Sequence, residues 1–215
     1  MEKPVYLTAK FFWLFLLFPF ILFAQLSFGV IGGANVGKFG GVEPRDASYA
    51  SHSGLNFGVI AGYRFNEDVS LIFQPTFSQR GSDIEVGEDT FFDSLQVYEA
   101  RIDFLALPLS VRVDSDNGVT YFISGLEIAI PLSSKIIHNE EKLDISDWLN
   151  RIDILASIGM GLHFSLGRPQ LTIEFRYYQG LVNFNSRDGK DGEQIIFQNF
   201  KNSGFQLTAG LEWEL

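Results

Sequence analysis

The chain ends on an unbroken alternation of apolar and polar residues. From Phe205 to Leu215 one parity holds Phe205, Leu207, Ala209, Leu211, Trp213 and Leu215; the other holds Gln206, Thr208, Gly210, Glu212 and Glu214. A period of two belongs to a β-strand whose two faces meet unlike surroundings. Such a strand needs hydrogen-bonded neighbours, and whatever covers its apolar face decides the fold class.

The other end of the chain narrows the choice. Met1-Glu2-Lys3-Pro4 and Lys10 precede a wholly apolar run over residues 11–23, followed by Ala24 and Gln25. A basic start, a short apolar run and a small residue at a cleavage point predict a secretory signal peptide over residues 1–24 and a mature domain over 25–215. A membrane-spanning helix needs about 20 apolar residues; this run is shorter and contains Pro19. No later run is long enough either, so any membrane insertion must use strands.

Eight stretches carry strand patterning. They cover Leu26 to Gly37, Gly54 to Phe65, Val69 to Arg80, Val97 to Val113, Val119 to Leu132, Asp153 to Phe164, Gln170 to Gly180, and the terminal segment. The fourth is irregular: Ile102 and Phe104 share one parity, whereas Leu107, Leu109, Val111 and Val113 share the other. Pro108 lies near the switch and has no N–H for a ladder, which predicts a bulge there. Connections alternate in length. Those at Asn66 to Asp68, Asp114 to Gly118 and Gly167 to Pro169 are short; those at Lys38 to Ser53, Gly81 to Leu95, Ser133 to Asn150 and Leu181 to Gly204 are long.

Short turns on one rim and long loops on the other describe an outer-membrane barrel with both termini on the periplasmic side. The expected fold is all-β, an eight-stranded antiparallel transmembrane β-barrel. A soluble lipocalin-like barrel carries a related pattern with its apolar face turned inward. The aromatic terminal strand and the loop alternation favour the membrane; the 22 Phe, 7 Tyr and 3 Trp agree.

Charge and cysteine content remove other classes. The formal net charge is −10, opposite to the basic face that nucleic acid requires. There is no cysteine, hence no disulfide framework, thiol chemistry or cysteine-based metal site.

The opening Phe28-Gly29-Val30-Ile31-Gly32-Gly33-Ala34-Asn35 and the segment Asp103-Phe104-Leu105-Ala106-Leu107-Pro108-Leu109 resemble the PorT-like outer-membrane β-barrel proteins of Bacteroidetes, small barrels of the OmpA/OmpX kind. Gly125 and the Gly159-x-Gly161 pair fit the glycine-rich habit of that family. Trp213-Glu214-Leu215 looks like a barrel insertion signal. The resemblance implies an outer-membrane address among lipid and lipopolysaccharide. The name-giving member of that family belongs to a protein secretion and gliding apparatus, most relatives have no assigned activity, and the resemblance assigns no functional residue; the filled lumen and loop-rich outer rim lead to the expectation of an accessory to a secretion or envelope-assembly complex.

Candidate chemistry is sparse. Arg64, Arg80, Arg101, Arg112 and Arg176 are expected to meet Glu99, Asp103, Asp153, Glu174 and Glu212 in a lumen narrow enough to be filled by side chains. His163, Ser165 and Glu174 have the residue types of a nucleophilic set, yet lie beside a short turn, on the wrong rim for a lipid A esterase. His52 and His138 fall in separate long loops. Asp83, Glu85, Glu88, Asp89 and Asp93 form an acidic loop that could attract a hard cation but more simply keeps the loop solvated. The final loop, with Asn183, Asn185, Asp188, Asp191 and Asn199, is rich in turn formers. The expectation is no enzyme, no catalytic, cofactor or metal residues, and a structural or interaction role.

Overall fold

The computed structural model describes residues 25–41, 47–86, 96–139, 141–185 and 200–215. The expected signal peptide, most of the acidic loop and most of the final loop lie outside them. The strands are β1 (Leu26–Gly41), β2 (Ala47–Arg64), β3 (Val69–Phe73), β4 (Thr76–Val86), β5 (Gln96–Asp114), β6 (Thr120–His138), β7 (Glu141–Asp144), β8 (Asp153–Ser165), β9 (Pro169–Gly180) and β10 (Phe200–Glu214); a 3-10 turn, Ser146–Trp148, follows β7.

β3 and β4 are one strand interrupted at Gln74-Pro75. Gln74 N–H donates to Pro108 O and Val59 N–H donates to Pro75 O, each at 3.1 Å, so the ladder continues past a residue that cannot donate. β7 is a small hairpin on the end of β6. The rest form a ring of eight antiparallel strands, β1–β2–β3/β4–β5–β6–β8–β9–β10, closed by the pairing of β1 with β10 from Ser27↔Glu214 to Gly41↔Phe200. Closure leaves no sheet edge, as a strand-built membrane protein requires.

The short turns have local causes. Asn66 Oδ1 accepts from the N–H groups of Asp68 and Val69, and Asn117 Oδ1 accepts from those of Val119 and Thr120. Gly118 and Gly167 take the left-handed conformation, with φ of 64° and 97°, at little steric cost. The start of β1 and the end of β10 share this rim: Arg64 N–H donates to Gln25 O and Leu215 N–H to Leu26 O.

The apolar parity faces outward over the lower part of the wall. Phe122 and Ile158 are 62% exposed, and Leu55, Phe57, Leu126, Met160, Phe205 and Leu207 are similarly bare. That is a band for hydrocarbon, and the lipocalin-like arrangement is thereby excluded. The lumen behind it combines buried polar side chains with an apolar cluster of Ile31, Ile60, Ile72, Tyr121 and Ile123.

Higher up, the wall reverses its polarity. Phe39, Ile84, Val86, Ala100, Ile102, Phe104, Ile136 and Phe200 point inward and join Tyr49, Ile145, Leu149, Leu155, Tyr178 and Phe184 in one apolar core. On the same strands Lys38, Asp83, Glu85, Glu99, Arg101, Lys135 and Lys201 lie on the opposite parity, partly or fully exposed. This explains the irregular fourth strand and corrects the expected bulge. β5 keeps one inward parity from Ala100 through Arg112; its chemistry changes, not its geometry. The register shift lies on β6 instead, where Asp103↔Ser133 is followed by Phe104↔Pro131, leaving Leu132 as the extra residue. The strands therefore outrun the sequence-based bounds at their upper ends and absorb much of the expected long loops.

One wall contact gives a direct test. Gly161 faces inward against Tyr121, and a Cβ added there would collide with Tyr121 Cζ and with its hydroxyl oxygen. Gly161→Val is expected to cost about 1–3 kcal/mol by overpacking. The check is chemical unfolding in detergent micelles, followed by the gel-mobility difference between folded and unfolded barrel; unchanged stability would show that Tyr121 is free to leave.

Candidate functional site

The lumen is built in layers. Along its length three arginines bind carboxylates in full burial, with Arg112 beside the short-turn rim residues Gln25, Ser27, Arg64 and Glu214. Arg80 on β4 meets Glu127 on β6 at 2.7 Å, and Arg176 on β9 meets Glu174 at 2.6 Å. Arg112 on β5 reaches across the barrel to Glu212 on β10 with two hydrogen bonds, at 2.9 and 3.3 Å. Arg176 also donates to Gln74 Oε1 at 2.6 Å, and the Tyr121 hydroxyl donates to Glu174 Oε2 at 3.1 Å. Each inward position of an eight-stranded barrel faces strands from across the lumen, so side chains far apart in sequence become partners.

Apolar and aromatic layers close the waist on both sides. Above it, the Arg80 guanidinium lies 4.4 Å from the Tyr178 ring centroid and 5.5 Å from that of Phe104. The Phe39 and Phe200 rings, 4.2 Å apart, join the two ends of the chain at the top of the seam. Two outer connections close this mouth. Asn150 N–H donates to Phe184 O, its side chain donates to Asn183 O, and Phe184 N–H donates to Phe200 O, holding Ile145, Leu149 and Phe184 in the core. Hydrogen bonds from the Ser146 hydroxyl and N–H hold the exposed Asp144 carboxyl below the usual carboxylate range at the start of the 3-10 turn. Below the waist, Tyr121 stacks on His163 with centroids 4.4 Å apart, and His163 Nε2 is 2.9 Å from Asp114 Oδ1. The waist cavity between Gln74, Thr76, Glu127, Glu174, Arg176 and Gln206 measures about 10 Å³, room for a single water.

The expected ionic lumen is only partly the observed one. Arg80, Arg112, Arg176, Glu174 and Glu212 are there. Asp153 is also buried, accepting from Asn202 at 2.6 Å, whereas Glu127, the partner of Arg80, was not anticipated. Arg64 pairs with Glu214 at the short-turn rim. Arg101, Glu99 and Asp103 are corrections: they sit on the outward parity of β5, where Arg101 binds Glu99 and Asp103 accepts from Gln79. Inward parity there belongs to Ala100, Ile102 and Phe104.

The nucleophilic set does not assemble. His163 is turned to Asp114, Glu174 is held by Tyr121 and Arg176, and Ser165 is exposed at the rim. His138 stacks on Tyr98, with ring centroids 4.3 Å apart. His52 was expected in a loop; it lies in β2 beside Asp83. Among the described residues, no group of three or more His, Cys, Asp or Glu has metal-binding geometry, and Glu88, Asp89 and Asp93 lie outside them.

A closed, side-chain-filled ring with a lipid-facing apolar band defines an integral outer-membrane β-barrel protein. Residues 23–186 match the model of a family described as "Outer membrane protein beta-barrel domain", and the chain belongs to that family. The closing strand β10 lies beyond the matched stretch. No curated protein matches the chain. Among solved structures, Neisserial surface protein A (NspA) is 14% identical, with 87% of this chain and 97% of that chain covered and a TM-score of 0.48. Ail, the attachment invasion locus protein of Yersinia pestis, in complex with the heparin analogue sucrose octasulfate, is 13% identical, with 88% and 99% covered and a TM-score of 0.44. The outer membrane protease OmpT from Escherichia coli is 12% identical, with 89% and 79% covered and a TM-score of 0.39. Likeness at this level carries nothing about function.

Proposed function

We propose that this protein is a non-enzymatic scaffold of the outer membrane, exported by a cleaved signal peptide over residues 1–24. Its capped outer rim would be offered to other envelope components, as in an accessory of a PorT-like secretion or envelope-assembly complex. The observation that carries this reading is the filled lumen. Among the described residues, buried ion pairs, aromatic packing above them and the Tyr121–His163 stack below fill the lumen, so the exposed rim and loops are the surface through which the protein acts. The engagement of His163 and Glu174 with other partners speaks against a hydrolase of lipid A or peptide.

Two measurements test the proposal. Reconstituted in a planar bilayer, the wild-type barrel is expected to show no steady conductance; stable open steps would overturn the scaffold reading in favour of a channel. Crosslinking in native envelopes, followed by purification, is expected to recover a stoichiometric partner that is lost when the outer loops are replaced by short turns. Recovery of the barrel alone would count against a role in assembly.

A further inference from the structure

The lipid-facing wall carries a diagonal trough. Its floor is a row of outward residues that stand directly opposite one another across five strands: Thr120 on β6, Leu162 on β8, Ile173 on β9, Ala209 on β10 and Gly32 on β1. The row above is bulky, with Phe122, Met160, Phe175 and Leu207 in register. The row below, Phe164, Leu171, Leu211 and Val30, is bulky again. A cavity of about 390 Å³ opens between the floor and the upper row, over β6, β8 and β9 and as far as Leu207. Small-molecule sites occupy about 300–1,000 Å³. Ala209 and Gly32 prolong the trough across the β10–β1 seam, where a Cβ on Gly32 would meet nothing closer than 3.9 Å.

The trough climbs from the short-turn rim into the hydrocarbon band. Thr120 is the first residue of β6; Leu162 lies three residues from the end of β8, Ile173 four from the start of β9, Ala209 five from the end of β10 and Gly32 six from the start of β1. With neighbouring strands about 4.8 Å apart, the four steps from Thr120 to Gly32 measure about 19 Å. A row at right angles to strands tilted by about 40° rises about 12 Å over that length, close to the depth of about 15 Å of one hydrocarbon leaflet. The lower end is polar: Asn117 Nδ2 donates to Thr120 Oγ1 at 3.1 Å. Exposed Asp116 stands in the same turn, and exposed Arg168 stands in the turn that joins β8 to β9. Asp114, the other acid of this mouth, is engaged by His163.

We propose that this trough holds one acyl chain of a resident glycerophospholipid from the leaflet on the short-turn side, with its phosphate on Arg168 and an ammonium headgroup toward Asp116. Lipid tails are as apolar as the wall, so burial alone gives no preference for one chain over another. The preference comes from shape, because an unfilled trough forfeits dispersion contacts along its whole floor, and from the charges at the mouth. The inference does not depend on the scaffold reading, because it concerns the wall and not what the outer rim binds.

The test reconstitutes the full chain in nanodiscs of phosphatidylethanolamine, phosphatidylglycerol and lipid A, releases it into mild detergent and weighs the intact complex by native mass spectrometry. The wild type is expected to retain one phosphatidylethanolamine. Gly32→Leu with Ala209→Leu fills the trough with side chains that a bilayer accepts, and should lower retention about tenfold. Ala209→Leu alone keeps the test decisive if the double variant fails to insert. Arg168→Gln leaves the trough open and should lower retention by a smaller factor. A wild type that retains no lipid, retention of phosphatidylglycerol or lipid A in its place, or equal retention by the wild type and the filled-trough variants would overturn the site.

Discussion

Glu127→Leu is expected to cost the barrel about 3–5 kcal/mol, and most of that loss should return when Arg80→Met is added. Arg80 is 3% exposed and Glu127 4%, so removing one partner leaves an uncompensated charge in a space without bulk water. Removing both leaves side chains of similar volume beneath a layer that is already apolar, where Phe104 and Tyr178 flank the guanidinium. The pair joins β4 to β6 across the end of the polar waist. Urea titration in micelles with folded and unfolded mobility as the readout gives each value. A double variant as weak as Glu127→Leu alone would mean that the pair holds the waist in register, beyond balancing its own burial.

Ile158→Arg should be about as damaging, near 2–4 kcal/mol, although Ile158 is one of the most exposed side chains. It is 62% exposed at the middle of the outward face of β8. On a water-soluble surface such a change stays within about 0.5 kcal/mol. At the middle of a bilayer the guanidinium must be drawn toward the interface or hydrated locally. Lys135→Glu, on the polar belt of β6, is the control and should be nearly neutral. Equal and small effects at both sites would contradict the placement of hydrocarbon against β8.

Much of this architecture was legible because the lower wall obeys one rule. Where lipid lies outside and polar side chains fill the inside, alternation marks the strand, its faces and its neighbours; β8, β9 and β10 follow the sequence pattern nearly residue for residue. The upper wall obeys the opposite rule, with an apolar interior and a wet exterior. Period-two patterning reports that a face is apolar, but not which side of the wall it occupies. Ile102 and Phe104 consequently resembled a break in β5, and Arg101 resembled a lumen residue. Phe39 and Phe200 lay in stretches assigned to loops. The missed signal was the reversal itself: on β5 the apolar parity changes near Pro108, and the inward Phe39 follows the outward Val36 on β1. Ion-pair partners were harder still. The pairing of Arg112 with Glu212 spans 100 positions, and which strands face each other across a lumen follows from closure and stagger, which local patterning does not encode.

The reversal of polarity also makes the wall a depth gauge. A sliding helix can often trade one apolar turn for another, but this barrel has no second band to offer the bilayer. Rising would lift Phe122, Ile158 and their neighbours into water, while sinking would bury Lys38, Asp83, Glu99 and Lys201 in acyl chains. Both movements are opposed from the first residue pair, so the height of the rim above the membrane is written into the strands. Whatever meets that rim, whether a neighbouring protein or the sugar layer of the surface, meets it at a fixed distance, even if the surrounding bilayer must thicken or thin to match.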